Sequence, residues 1–316
     1  MVNKLIGFDF EFSSRTGRLQ NIGLESSLKN LGWVILKPKI YQSKFTYWFS
    51  VIFDSICSRA NYLYWMPSYK PLLLLFPVIF FFRIRFFFGI RDLWYGNPQP
   101  IKSIKGRIFN RAGYFVFYLY GKLCNVKWIA ISNEMKEDIM KFHPFIKNKN
   151  IIVSSTGDVL RNIQNSPKIE YELGYFGTFD LQMDLNKYLD LKSKFSFIHY
   201  GLNDYDIEVS GYIKSDKELN NEMSKCKLLL IFGVNDYSRL NRKIFHLLQT
   251  NKALIYFGPR NNVTYRILSD YEGVFFNPSD SEIRTLLDNE YNYQRDIGKF
   301  LYHNIAKKLH EDICNS

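Results

Sequence analysis

Residues 228–259 read LLLIFGVNDYSRLNRKIFHLLQTNKALIYFGP, and the fold is decided here. The stretch opens with an unbroken apolar run, Leu228 to Phe232, with the length and composition of a strand buried on both faces of a parallel sheet. Gly233, Asn235 and Asp236 follow as turn and helix-capping residues. From Tyr237 the apolar positions Leu240, Ile244, Leu247 and Leu248 recur at helical spacing, which predicts a helix from about 237 to 249 closed by Asn251. Ala253 to Phe257 reads as a second buried strand ending in Gly258-Pro259. The whole is one strand, helix, strand step of a doubly wound α/β sheet.

The chemistry is expected in the first turns of that helix. Unsatisfied N–H groups and the positive dipole end suit an anion there, with Arg239 and Lys243 four residues apart on one face and Arg242 beside them. A phosphate fits such a place. A solvated basic helix face is the plain alternative, and spacing alone leaves both open. His246, in the next turn, is either a ligand contact or a core histidine.

Moving outward, the second half reads as a strand 172–176, the turn Gly177-Thr178-Phe179-Asp180, a helix 184–191, strands 195–200 and 208–211, and a helix 217–225. Gly177 lets the backbone approach a ligand, or simply makes a tight turn. The first half alternates in the same way: strands 4–10, 33–36, 62–65, 84–90, 128–131 and 151–154, with helices about 20–30, 45–59, 108–123 and 132–140 and an apolar helix before residue 84. Polar residues 161–167 are the most linker-like, which divides the chain into a first domain 1–164 and a second domain 165–316. A last helix, 288–313, is expected to cross back and brace the first domain. Asp9 and Glu11 follow the first strand, and Asp92 follows the strand ending at Ile90. Doubly wound sheets keep their ligands at such carboxyl ends, although a lone carboxylate there is equally a helix cap or an arginine partner.

The segment Lys243-Ile-Phe-His-Leu-Leu-Gln-Thr-Asn-Lys-Ala-Leu-Ile255 resembles the Lys-Leu-Phe-Glu-Tyr-Leu-Ala-x-Gly-Lys-Pro-Val-Ile pattern of GT-B glycosyltransferases of the group 1, family 4-like kind. Tyr175 to Asp184 is similar to the start of their donor domain, and Asp92-Leu-Trp94 to an Asp-x-Trp found in related transferases. The resemblance implies two Rossmann-like doubly wound domains facing a cleft. It implies transfer of a sugar from a nucleotide diphosphate-sugar to an acceptor, with Gly177, Thr178, Arg239, Arg242, Lys243 and His246 toward the donor and Asp92, Asp9 or Glu11 orienting or deprotonating the acceptor hydroxyl. Two departures stand out. His246 occupies the place of a ribose-binding Glu, and the usual Arg and Lys of the loop after Gly177 are absent. A GT-B sugar-nucleotide epimerase or phosphorylase would share this layout.

Composition narrows the classes further. The chain has 316 residues, of which 47% are hydrophobic, enough for two ordinary domains and too apolar for a disordered chain. Four cysteines lie far apart without CxxC or Cys/His ligand spacing, so neither a disulfide framework, a metal site nor a bound cofactor is expected. A Walker loop, a GxGxxG fingerprint, a nucleophile elbow and HExxH are all missing. The net charge of +12 is uneven: residues 1–167 hold 23 Lys and Arg against 9 Asp and Glu, and the rest hold 19 against 21. Such a half suits an anionic membrane surface, with Lys102, Lys105, Arg107, Arg111, Lys141, Lys147 and Lys149 as candidates, or serves solubility alone. With no RNA-binding signature or zinc finger, nucleic acid ranks lower. A non-enzymatic basic protein bound to membrane or nucleic acid is the rival to an enzyme.

No secretory signal is read in Met1 to Phe10, which carries Lys4 and Asp9. The apolar run 71–82 is too short to span a bilayer, and extending it would bury Arg83 and Arg85 at about 2.5 to 3.5 kcal/mol each. The expectation is a cytoplasmic enzyme, peripheral on the inner face of the membrane, acting on a glycan or lipid-linked acceptor in surface polysaccharide or lipopolysaccharide synthesis.

Overall fold

A computed structural model describes residues 5–8, 15–36, 61–65, 69–83, 85–90, 104–155, 157–161, 168–202, 205, 207–213, 215–241 and 243–315. The chain forms two compact units. Unit 1 comprises Met1–Gly157 together with Phe300–Ser316, and unit 2 comprises Asp158–Lys299.

Unit 1 carries strands β1 (Leu5–Phe8), β2 (Val34–Leu36), β3 (Asn61–Trp65), β4 (Phe86–Ile90), β5 (Val126–Ala130) and β6 (Ile151–Val153) in the order β2-β1-β3-β4-β5-β6, with every pairing parallel. Its helices are α1 (Arg15–Asn30), α2 (Tyr69–Phe82), α3 (Ile104–Leu123), α4 (Asn133–Phe142) and, from the end of the chain, α10 (Tyr302–Cys314). All five residues of β4 are buried, as a strand covered on both faces requires. Phe86 and Phe88 turn to one face, where Phe88 packs on Phe117 of α3 and on Trp128, and Phe86 on Tyr120. Phe87 turns to the other, into a cluster with Leu24 and Leu28 of α1, Ile129, and Ile305 and Leu309 of α10. Burying each such ring contributes roughly 1.5 to 3 kcal/mol. Trp33 fastens the far end of that layer by donating from Nε1 to His310 Nδ1 at 3.2 Å.

Unit 2 repeats the plan with β7 (Tyr171–Phe176), β8 (Phe197–Tyr200), β9 (Cys226–Phe232), β10 (Ala253–Phe257) and β11 (Val274–Phe276), all parallel and ordered β11-β10-β9-β7-β8. Counted within the unit this is the 2-1-3-4-5 order of a flavodoxin-like sheet, and the strand order reverses between β7 and β9. The helices are α5 (Leu185–Lys194), α6 (Asp216–Ser224), α7 (Ile244–Leu247), α8 (Val263–Leu268) and α9 (Asp280–Asp288). Asp184, Ser215, Asn262 and Ser279 cap four of them, the last in a full capping box with Glu282.

Three expectations are corrected. The helix foreseen over 237–249 is the single turn α7. Asp236 Oδ1 takes the Ser238 N–H at 3.2 Å, Asn241 Oδ1 takes the Lys243 N–H at 3.2 Å, and Thr264 Oγ1 takes the Asn241 N–H at 3.3 Å. Side-chain acceptors outcompete the helix ladder. The helix foreseen over 288–313 is α10 alone, since α9 ends at Asp288 and residues 289–297 are irregular between the two. There Arg295 donates to the carbonyls of Thr250 (2.7 Å), Lys252 (2.8 Å) and Glu272 (2.8 Å), strapping the segment to unit 2. Residues 208–211 make isolated bonds with β8 and its turn, such as Ser210 N–H to His199 O at 2.7 Å, and are not a strand.

The units divide after Gly157, a few residues before the stretch 161–167. Arg161 explains the difference: its N–H donates to Gln249 Oε1 at 2.7 Å and its guanidinium pairs with Asp158 and Asp216. Residues 158–161 are thereby anchored to unit 2. The helix foreseen over 45–59 lies outside the described residues.

Candidate functional site

The carboxyl edge of the second sheet is built from the loops that follow β7, β8, β9 and β10. Open α/β sheets bind ligands at this edge, where the strand order reverses. Buried polar groups hold it rigid. His199 on β8 is 2% exposed, with Nε2 2.9 Å from Gly177 O and Nδ1 3.0 Å from Tyr188 OH. A carbonyl only accepts, so Nε2 carries the proton and Nδ1 accepts from the tyrosine. Burial lowers the pKa of His199, which keeps the ring neutral. Tyr175 donates from its hydroxyl to Thr178 O at 2.8 Å. Gly201 has φ +153°, and a Cβ there would stand 2.0 Å from Gly177 O, so only glycine lets the turns after β7 and β8 meet.

Asn262 does the same for the other two loops. It donates from Nδ2 to Val234 O at 3.0 Å, and its Oδ1 accepts from Tyr265 N–H at 2.8 Å and lies 3.1 Å from Tyr256 OH. Tyr256 is fully buried and its hydroxyl also reaches Pro259 O at 2.9 Å, so burial pushes its pKa to about 12.

On this frame stand the charged groups. Arg239 Nη1 is 2.9 Å from Asp180 Oδ2, an ion pair that bridges the loops after β7 and β9 across the reversal. The two side chains are 43% and 19% exposed, so the pair contributes about 0 to 1 kcal/mol and is easily exchanged for another partner. Lys243 has an accessible side chain, yet neighbouring protein removes enough water from its ammonium to lower the pKa. Thr178, two residues before Asp180 in the same turn, is exposed. Two cations and a hydroxyl at a rigid strand edge can take up an oxyanion. Among the described residues no three His, Cys, Asp or Glu side chains group as metal ligands.

The residues named from the sequence fall into three groups. Gly177, Thr178, Arg239 and Lys243 come together at this edge in loops, without the long helix on which Arg239 and Lys243 were to share a face. His246 lies inward, 6% exposed, with Nε2 2.6 Å from Asn220 Oδ1; burial pushes its pKa down to about 3 and it is neutral. Asp9, Glu11, Asp92 and Arg242 lie outside the described residues. Sequence reasoning overlooked Asp180, His199, Tyr256 and Asn262. Only Asn262, a cap residue just past Gly258-Pro259, carried a local signal.

No protein-family model and no curated protein matches this chain. Among solved structures, HepE (Alr3699) of Anabaena in complex with UDP and glucose is similar over 99% of this chain and 100% of its own, with 10% identity and a TM-score of 0.64. HepE in complex with UDP is similar over 98% and 95%, with 10% identity and a TM-score of 0.61. The glycosyltransferase SnogD of Streptomyces nogalater gives a TM-score of 0.43 at 10% identity, over 98% and 94%. The chain thus has the fold of the HepE structures, the α/β arrangement of two Rossmann-like doubly wound units known as GT-B that the resemblance in its sequence implied.

Proposed function

We propose that this protein is a glycosyltransferase that moves a sugar from a nucleoside diphosphate-sugar, UDP-glucose in the first instance, to an acceptor hydroxyl. The observation that carries the reading is the cationic carboxyl edge of the second sheet, in a fold shared end to end with a structure that holds UDP and glucose. In the reaction the bond from the sugar's anomeric carbon to the diphosphate breaks and a bond to the acceptor oxygen forms. Negative charge then grows on the departing diphosphate. Arg239, released from Asp180, and Lys243 stabilise it there, with no divalent metal required. Thr178 and the Gly177 turn line the same edge, and Arg242 adds charge from the adjoining position. Asp92, Asp9 and Glu11 are the candidates to take the acceptor proton. The acceptor is a glycan or lipid-linked sugar of surface polysaccharide synthesis at the inner face of the cell membrane.

Thermal unfolding with UDP, GDP, CMP and their sugars tests the donor. A ligand at one hundred times its Kd adds roughly 2.7 kcal/mol of stability. Stabilisation by a uridine or other nucleoside diphosphate is the expected result, and none by any of them overturns the reading. Release of UDP from UDP-sugar only when acceptor is added marks a transferase; release or sugar inversion without acceptor marks an epimerase.

A further inference from the structure

The amino edge of the first sheet is at the opposite end of its strands from the carboxyl edge where doubly wound sheets bind ligands, and described residues there combine exposed apolar and cationic side chains. α2 ends in Phe80, Phe81 and Phe82, which are 40%, 75% and 57% exposed. Arg83 and Arg85 follow, both exposed, and lead into β4. α3 ends in Lys122 and Leu123, also exposed, and leads into β5; Lys147 and Lys149 precede β6 in the same way. Because β4, β5 and β6 are adjacent and parallel, these three chain turns lie side by side. Between them opens a cavity of about 210 Å³ lined by Arg85, Lys127, Lys149, Asn125 and Asn150, with Phe86 and Phe87 as its floor. Its volume is several times the ~30 Å³ of a water molecule, and its lining is three cations, two amides and no carboxylate.

Residues 55–133 hold eleven Lys and Arg and a single acid, Asp92. The acids Glu311 and Asp312, at the end of α10, belong to the opposite layer, which packs on Phe87 and not on Phe86 and Phe88. A cluster of exposed phenylalanines ringed by cations fits neither water nor an ordinary protein surface. It fits the boundary of an anionic bilayer, where apolar rings enter the acyl region and Lys and Arg meet phosphate. No described helix is long and apolar enough to cross a membrane, so the contact is a surface one.

We infer that the amino edge of the first sheet docks on an anionic membrane, with Phe80 to Phe82 inserted and a lipid phosphate seated in the Arg85, Lys127, Lys149 cavity. This does not rest on the chemistry proposed for unit 2. It also differs from attraction by diffuse charge, because the inserted rings make part of the binding resistant to salt.

Co-sedimentation of the full chain with phosphatidylcholine vesicles, with and without phosphatidylglycerol, provides the test. Binding is expected only with phosphatidylglycerol, and a fraction persists at about 0.5 M salt, where the screening length is a few Å. Phe81→Ser with Phe82→Ser lowers binding by about tenfold or more and abolishes the salt-resistant fraction. Arg85→Ala, Lys127→Ala and Lys149→Ala together lower it about a hundredfold, at about fivefold each. Circular dichroism checks that the variants fold. Phe81→Trp in otherwise native protein gives an independent readout, since brominated lipid quenches that residue only if it enters the acyl region. Equal or absent binding to the two vesicle types overturns the inference. So do unchanged binding in the phenylalanine variant, release from vesicles by millimolar inorganic phosphate, and capture by DNA or self-association without vesicle binding.

Discussion

At Lys243 the ammonium is partly stripped of water and its pKa is lowered, so a bound diphosphate both gains a contact and favours the charged form. Lys243→Ala is expected to weaken nucleoside diphosphate binding by about 1.5 to 3 kcal/mol, roughly ten- to more than a hundredfold, with the fold intact. Titration calorimetry reads this directly, and unchanged affinity removes Lys243 from the site. His246 makes a different prediction. Its folded pKa is about 3 against 6.5 for an exposed ring, so the unfolded chain takes up the proton first as pH falls. Stability is therefore complete above about pH 6.5 and declines toward pH 3, by up to about 1.4 kcal/mol per pH unit. His199, also lowered, adds to the decline in the same direction. Urea unfolding between about pH 7 and pH 5 should show a shallower pH dependence in His246→Gln than in the parent, with the His199 share remaining.

Among the elements, the turns after β7 and β8 are the most constrained, since Gly177 O is held by His199 and closely approached by Gly201. Gly201→Ala is expected to destabilise unit 2 and to weaken diphosphate binding together, because the clash is with backbone and not with a movable side chain. Loss of stability with unaltered affinity would separate this turn from the site. The buried strands β4, β9 and β10 were legible as continuous apolar runs, because nothing but a two-sided core accommodates them. The helix after β9 was misread for an equally physical reason. Leu240, Ile244, Leu247 and Leu248 keep helical spacing, but Ile244 to Leu248 are buried all round, and Asp236 and Asn241 draw the chain into turns. The network through His199, Tyr188, Tyr256 and Asn262 was illegible because its members come from separate loops and strands, brought together only by the sheet.

For the whole molecule, the two units share one strand plan while their charge does not: the excess of cations lies in the half that forms most of unit 1. Arg239 and Lys243 are proposed to fill the role of a divalent ion, so EDTA should leave sugar transfer largely unchanged. Turnover lost in EDTA and regained with magnesium or manganese would count against that mechanism. The doubly wound plan itself was readable throughout, and the units divide a few residues before the polar stretch 161–167, because Arg161 ties residues 158–161 to partners far along the sequence.

The return of α10 to α1 also sets a timetable. Unit 2 is continuous in sequence and can fold as soon as residue 299 has left the ribosome, whereas the layer of unit 1 that holds Leu24, Leu28 and Trp33 lacks its cover until α10 is made. The half synthesised first is thus finished last, and its apolar helix face waits uncovered through the synthesis of more than a hundred residues. A chain stopped at Lys299 should keep a protease-resistant fragment corresponding to unit 2 while the first 157 residues are digested; equal resistance of both would show that unit 1 closes without α10.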